Sequence, residues 1–148
     1  PAHGSVTNNA NGALAYTPNA NVNGSDSFTY KVNDGQADSN TAMISIIINP
    51  VNDAPVTSND TATTTANQAV AIAVLANDND IDGAINATTV TIVAGPANGT
   101  VSIDPITGQV TYSPGIGFVG EDNFTYTMKD DLGTVSNIGI VTISVIPI

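Results

Sequence analysis

Apolar and polar residues alternate through short segments of the chain, and turn-forming residues separate these segments. Val70, Ile72 and Val74 would share one face of an extended strand, as would Phe124 and Tyr126. A period of two is typical of a half-buried β-strand, and no window carries the stripe of an amphipathic helix. The pattern therefore predicts an all-β protein.

Between residues 52 and 148 the alternation predicts seven strands, A to G. Their predicted bounds are Thr57–Thr65, Ala69–Leu75, Thr88–Ala94, Thr100–Ile103, Gln109–Ser113, Asn123–Met128 and Ile138–Ile146. Turns rich in Gly, Pro, Asn and Asp separate them, because these residues favour turn conformations. Seven short strands in a segment of this length predict a β-sandwich. The Phe and Tyr residues of strand F are expected in its core, and Tyr16 and Tyr112 of strand E are expected to pack, or to bond to the backbone, near the E–F corner.

Segments of the chain recur about 96 residues apart. The matching pairs are residues 1–6 (PAHGSV) with 96–101 (PANGTV), 16–18 (YTP) with 112–114 (YSP), and 24–30 (GSDSFTY) with 120–126 (GEDNFTY). A recurring segment marks a repeated structural module. The sequence therefore predicts one complete module at residues 52–148, preceded at residues 1–51 by strands D to G of another.

A module that lacks strands A to C would expose an apolar face and unpaired strand edges. Three explanations stay open for residues 1–51. The missing strands precede Pro1 in a longer parent protein, or the half-module folds back on the complete one. In the third, a neighbouring copy supplies the strands and so builds a filament, because a head-to-tail contact that does not close propagates.

The charge and composition of the chain narrow its function. It has 13 acidic and two basic residues, which disfavours nucleic acid or an anionic membrane as a partner. No apolar run approaches the roughly 18 residues that span a bilayer. Cysteine is absent, which excludes disulfides, thiolate metal sites and Cys nucleophiles. With His3 as the only histidine and no set of nucleophile, base and orienting group, the chain is predicted not to be an enzyme.

Many of the carboxylates are expected at one end of the module. Strand direction brings the B–C, D–E and F–G loops to the end where the chain enters, and close like charges there cost about 1 kcal/mol per pair. Residues 78–83 (DNDIDG) match the first half of an EF-hand calcium loop, but Thr89 stands where its Glu would be. The remaining ligands would come from the linker or the F–G loop. The predicted calcium ligands are Asp78, Asp80, Asp82, Asn52, Asp53, Asp130 and Asp131. The alternative is that these side chains only cap turns and remain solvated.

Several longer sequence segments resemble those of a known protein family. Residues 49–56 (NPVNDAPV), 59–60 (ND) and 74–83 (VLANDNDIDG) resemble the tandem cadherin-like and bacterial Ig-like repeats of large extracellular adhesins. Residues 26–34 (DSFTYKVND) and their echo at 122–130 resemble the same family. The resemblance covers essentially the whole chain. It implies an Ig-like sandwich, a place on the bacterial cell surface, and modules that act mostly as spacers.

Two classes of function remain. The first is a structural repeat of an adhesin stalk or filament, with neighbouring repeats as partners and calcium stiffening the junction between modules. The second is a module that binds carbohydrate or protein. A sugar site usually needs exposed aromatic side chains, whereas this chain has no Trp and its Phe and Tyr residues fall mostly at core positions. A self-assembling filament subunit, completed by strands from a neighbouring chain, is a further alternative.

Overall fold

The computed structural model describes residues 1–148, which form eleven strands. The strands are β1 (Gly4–Asn8), β2 (Leu14–Pro18), β3 (Gly24–Tyr30), β4 (Ala42–Ile48), β5 (Asp60–Thr65), β6 (Val70–Ile72), β7 (Ile85–Ala94), β8 (Gly99–Ile103), β9 (Val110–Pro114), β10 (Gly120–Asp130) and β11 (Gly139–Ile146). No helix is long and apolar enough to cross a membrane. The chain divides into two compact units, residues 1–51 and residues 52–148.

Residues 52–148 form a sandwich of two sheets. One sheet has the strand order β5-β11-β10-β7, and the other has the order β6-β9-β8. All pairs are antiparallel except β5 with β11, which runs parallel from Asp60 beside Val141 to Thr65 beside Ile146. The all-β sandwich predicted from the alternation, and its Ig-like form implied by the family resemblance, are confirmed.

The inward-facing residues of both sheets form the core of this unit. In β10, Phe124, Tyr126 and Met128 alternate with more exposed neighbours, and each is 0% exposed. The other buried apolar residues are Ala66, Ile72, Val74, Val90, Val110, Tyr112, Val141, Ile143 and Val145. This packing confirms the predicted core position of Phe124 and Tyr126.

All seven strands differ from their predicted bounds by up to three residues at an end, and two of these differences have clear local reasons. Strand B ends at Ile72 because the chain turns there, with the Ala76 N–H donating to the Ala73 carbonyl. Val74 still faces the core and is fully buried, so the predicted face is right although the strand is shorter. Strand C begins at Ile85, earlier than predicted, because β10 continues far enough to pair with it there.

Residues 1–51 form two antiparallel hairpins, β1 with β2 and β3 with β4. Burial is much lower here than in the complete unit. Phe28 is half-buried and Tyr30 is 41% exposed. The prediction that Tyr30 is a core residue is therefore wrong, because the strands that would cover its counterpart have no equivalent in this segment.

One hydrogen-bonded corner occurs in both units. Asp122 accepts the Tyr112 hydroxyl at 2.9 Å, the Asn123 N–H at 3.0 Å, and the N–H groups of Ala97 and Asn98 at 2.9 Å each. These four donors fix the chain before β8 against β9 and β10. Burial, together with the Asp122 carboxylate, raises the pKa of Tyr112 to about 12.

The same arrangement exists in residues 1–51 around Asp26. Its carboxylate accepts the Tyr16 hydroxyl at 2.7 Å, the Ser27 N–H at 2.8 Å, and the N–H groups of Ala2 and His3 at 3.0 Å each. Burial opposes ionisation, but these bonds together hold the pKa of Asp26 well below its usual range. Tyr16 and Tyr112 therefore pack at this corner as expected, but each hydroxyl bonds to a side-chain carboxylate and not to the backbone.

A glycine permits each tyrosine to pack at this corner. A Cβ on Gly99 would lie 2.6 Å from the Tyr112 ring, and one on Gly4 would lie 2.6 Å from the Tyr16 ring. Real Cβ atoms do not approach so closely, so any larger residue would displace the ring. Tight packing against the tyrosine ring thus explains the glycine of the repeated Pro-Ala-x-Gly segment.

Candidate metal centre

The structure brings the predicted loops of residues 52–148 together through backbone contacts. The Asp131 N–H of the F–G loop donates to the Ala84 carbonyl of the B–C loop at 2.9 Å. The linker joins them, since the Asp53 N–H donates to Asp82 Oδ2 at 3.1 Å. We call the linker 52–53, the B–C segment 77–84 and the F–G segment 130–134 the entry loops.

Two carboxylates face one small space in the entry loops. A Cβ on Gly83 would lie 3.0 Å from Asp131 Oδ1 and 3.1 Å from Asp80 Oδ2. Asp80 Oδ1 accepts the Asp82 and Gly83 N–H groups, at 3.3 and 3.2 Å. Asp80 Oδ2 is buried and has no hydrogen-bond partner. A buried carboxylate oxygen without a donor is costly, and a bound cation would satisfy it.

Asp130 bonds to other groups than Asp80 does. Its side chain is 1% exposed, and Oδ1 accepts the Leu132 and Thr134 N–H groups at 2.9 and 2.7 Å. Oδ2 accepts the Asn52 side-chain amide at 2.6 Å. That amide, with the Thr134 contacts, lowers the pKa of Asp130 although burial opposes it. Asp130 thus holds the F–G turn and ties the linker to it.

Asp78 also points away from Asp80. Its carboxylate accepts the Ser58 N–H at 2.8 Å and lies 2.9 Å from the Tyr126 hydroxyl, which is 3.2 Å from Asp60 Oδ2. The hydroxyl has one proton and also lies 2.8 Å from the Val74 carbonyl, so it cannot satisfy both carboxylates. Burial raises the pKa of Asp78, and burial with the Asp78 charge raises the pKa of Asp60 to about 6.

Asp60 is not among the calcium ligands that the sequence predicts, and its place beside Asp78 at the Tyr126 hydroxyl was not predicted. No local sequence pattern links Asp60 with Asp78, because both reach Tyr126 through tertiary packing. Asp104, in the D–E loop, accepts the Ile106 and Thr107 N–H groups at 2.8 and 3.0 Å and caps its own turn.

Asp60→Asn is expected to stabilise residues 52–148 at pH 7.5 and to have little effect below pH 4. A carboxyl with a raised folded pKa gives its full stability below the unfolded value of 3.8, and loses it as pH rises through about 6. Solvent screening reduces the expected gain to about 1 kcal/mol. Urea unfolding in EDTA at the two pH values measures it, and an equal gain at both would show that charge is not the cause.

No group of three or more His, Asp or Glu side chains in the structure is arranged to hold a metal ion. The two facing carboxylate oxygens, Asp131 Oδ1 and the unpartnered Asp80 Oδ2, fit a cation that prefers oxygen ligands, such as Ca²⁺. Calcium accepts flexible coordination by carboxylates, carbonyls and waters. These oxygen atoms are thus chemically suitable as calcium ligands. The further ligands that calcium requires would come from the linker, from Asp82 or from water.

Known families match both parts of the chain. The sequence profile of the bacterial cadherin-like domain matches residues 52–147, and that of the bacterial Ig domain matches residues 1–47. No curated protein matches the chain.

Among solved structures, the endo-fucoidan hydrolase MfFcnA4 from glycoside hydrolase family 107 is 22% identical, with a TM-score of 0.43, over 100% of this chain and 22% of its own. The endo-fucoidan hydrolase MfFcnA9 is 17% identical, with a TM-score of 0.43, over 97% of this chain and 26% of its own. The chain thus spans only 22% and 26% of the length of these two proteins.

Proposed function

Because the chain belongs to the bacterial cadherin-like domain family, as its phrases predicted, we propose that it is a structural repeat segment of a bacterial extracellular surface protein. The matches to these two domain families support a structural repeat module, and domains of both families are commonly found in extracellular surface proteins. In this proposal the modules act as spacers of a stalk, adhesin or filament, and calcium bound at the entry loops stiffens the chain.

The observation that carries the proposal is the duplicated corner around Asp26 and Asp122. Both carboxylates take the same four donors from the same positions of their units. One module design used twice in tandem is what an array of repeats requires. The net charge of −11 would keep a long array soluble.

Domains of these families are typically non-catalytic, and we extend that property to this chain. Three of its buried polar groups have roles in holding the fold. Asp122 and Asp130 anchor backbone turns, and the Tyr126 hydroxyl bonds to the Val74 carbonyl in the interior.

Cadherin-like domains generally bind calcium, and here we assign the ion to Asp80 and Asp131, with Asp82 and the linker residues Asn52 and Asp53 beside them. When bound, the ion would neutralise the crowded carboxylates and tie the linker to the B–C and F–G loops. Asp78 and Asp130 support these loops through their hydrogen bonds to Ser58 and Thr134.

Calcium is expected to raise the melting temperature of residues 52–148 relative to EDTA. An ion present at 100 times its Kd stabilises the folded state by about 2.7 kcal/mol. Asp80→Asn and Gly83→Ala should remove most of the shift, the latter because its Cβ would enter the space between the two carboxylates. Asp104→Asn is the matched control, since Asp104 caps a separate turn, and it should leave the shift intact.

The same samples test the spacer function by small-angle X-ray scattering. Calcium should narrow the distribution of end-to-end distances of the full chain, and Asp80→Asn should abolish that change. An unchanged melting temperature would overturn the calcium assignment. A shift in melting temperature without any change in scattering would retain the ion but contradict its stiffening role.

A further inference from the structure

An aspartate followed by a proline lies in the loop between β8 and β9. Asp104 and Pro105 are both exposed there, and no other aspartate of the chain precedes a proline. The proline nitrogen carries no hydrogen and belongs to a tertiary amide. Such a nitrogen accepts a proton more readily than that of an ordinary peptide bond. In acid, the bond between Asp104 and Pro105 therefore has the better leaving group.

The backbone of Asp104 is held on both sides by the loop. Its N–H donates to the Gln109 carbonyl at 2.9 Å, and its own carbonyl oxygen accepts the Gly108 N–H at 2.9 Å. That carbonyl belongs to the peptide bond with Pro105. A fixed N–H donor stabilises the negative charge that develops on a carbonyl oxygen when a nucleophile attacks its carbon. The folded loop thus supplies one donor of an oxyanion site.

A nucleophile is present in the same residue. Asp104 Oδ1 accepts the Ile106 and Thr107 N–H groups at 2.8 and 3.0 Å, which leaves Oδ2 free to react. A side-chain oxygen of aspartate closes a five-membered ring on its own carbonyl carbon, and intramolecular attack of this kind has a high effective molarity. The Thr107 and Ile106 N–H groups lower the pKa of Asp104 below its usual value. The ionised carboxylate therefore persists further into the acid range.

Asp104 also borders a cleft of about 390 Å³ between its loop and the turn at residues 73–76. The cleft is open to solvent, so water reaches the side chain. No other lining residue is ionisable, and those residues are Ala73, Val74, Leu75, Ala76, Thr107, Gly108 and Gln109. The carboxylate of Asp104 therefore has no charged partner in the cleft.

We propose that the Asp104–Pro105 bond is an acid-dependent self-cleavage site, at which the Asp104 carboxylate cuts its own backbone and the two products stay paired. The carboxylate oxygen bonds to the Asp104 carbonyl carbon. The bond from that carbon to the Pro105 nitrogen breaks, and the nitrogen takes a proton from the acidic solvent. The cyclic anhydride left at Asp104 adds one water molecule and opens to two carboxyl groups. The net reaction consumes one water molecule and breaks one peptide bond.

Strand pairing explains why the products stay together. Residues 105–148 would keep β9, β10 and β11, and each of these strands pairs with a strand of residues 1–104. The pairs are β9 with β6 and β8, β10 with β7, and β11 with β5. The fold of the unit would thus outlast its covalent continuity. The inference does not depend on calcium or on location at a cell surface.

The test incubates the full chain at pH 4 and at pH 7.5, and measures residues 1–104 and 105–148 by mass spectrometry after denaturation in urea. Cleavage should be at least about tenfold faster at pH 4, because the nitrogen is protonated more readily while Asp104 stays largely ionised. A synthetic peptide of residues 100–110 has the same bond without the folded loop that fixes the Gly108 donor. Its cleavage at pH 4 should be at least about threefold slower.

Variants separate the groups that the reaction needs. Asp104→Asn removes the nucleophile and should abolish cleavage, whereas Pro105→Ala supplies an ordinary amide and should slow it at least about tenfold. Asp34→Asn is the matched control. Asp34 caps its turn in the same way, through the Gln36 and Ala37 N–H groups, but precedes a glycine, so the rate should not change.

Two results would overturn self-cleavage by the folded chain. One is cleavage of Asp104→Asn at the rate of the unchanged chain, and the other is equal rates for the peptide and the chain. Size-exclusion chromatography at pH 7.5, before urea is added, tests the pairing of the products. The cleaved chain should elute at the position of the intact chain, and fragments that elute separately would overturn the retained pairing.

Discussion

Phe124→Ala is expected to lower the free energy of unfolding of residues 52–148 by about 3–5 kcal/mol. The side chain is 0% exposed in the middle of β10 and lies in the core with Val141 and Ile143. Truncation removes a large apolar surface and leaves a cavity that the two sheets cannot close. Urea unfolding, followed by the amide resonances of residues 52–148, measures the loss.

The matched control is Phe28→Ala, the same change at the corresponding position of residues 1–51. Phe28 is only half-buried, so less apolar surface is lost and its cavity is open to water. The effect on the β3–β4 hairpin should be about 1 kcal/mol. If the two variants cost the same, the difference in burial between the units would have no energetic consequence.

Asp122→Ala should be the second most damaging change, with a loss of about 3 kcal/mol in the same unit. It leaves the buried Tyr112 hydroxyl and the Ala97 and Asn98 N–H groups without their acceptor. Hydrogen bonds to a charged group are worth about 1.5–3 kcal/mol, and orphaned donors add their desolvation cost. The loss should appear in urea unfolding at neutral pH.

Tyr112→Phe is the informative comparison for Asp122→Ala. It removes one donor and leaves the three backbone bonds to Asp122, so it should cost only about 1 kcal/mol. Equal losses for the two variants would mean that the backbone bonds from Ala97, Asn98 and Asn123 contribute nothing. The comparison thus separates the side-chain part of the corner from its backbone part.

The fold was predictable because alternation and turn residues act locally. Phe124 and Tyr126 lie two apart in a strand, so both face the core, and the structure buries both. The end of strand B was less predictable. Val74 continues the alternation of Val70 and Ile72, but a turn that begins at Ala73 places it in the core without strand pairing. Periodicity reports which way a side chain faces, and not where the hydrogen-bonded ladder stops.

The candidate metal centre was predictable only in part. Strand direction correctly placed the B–C and F–G loops together, as the Ala84–Asp131 contact shows. The spacing of Asp78 and Asp80 suggested a shared site, but their side chains make separate contacts. Asp78 instead meets Asp60 and Tyr126, two residues far away in sequence. Contacts of this kind depend on tertiary packing and leave no local pattern.

The parallel pairing of β5 with β11 determines how residues 52–148 respond to a pulling force. The unit begins near β5 and ends with β11, so tension between its ends draws these two neighbouring strands past each other along their length. The ladder from Asp60 beside Val141 to Thr65 beside Ile146 then carries the load at all its bonds together. A hairpin pulled from its open end would lose its bonds one at a time. The first and last strands therefore act as a shear clamp, and rupture requires the whole ladder to yield at once.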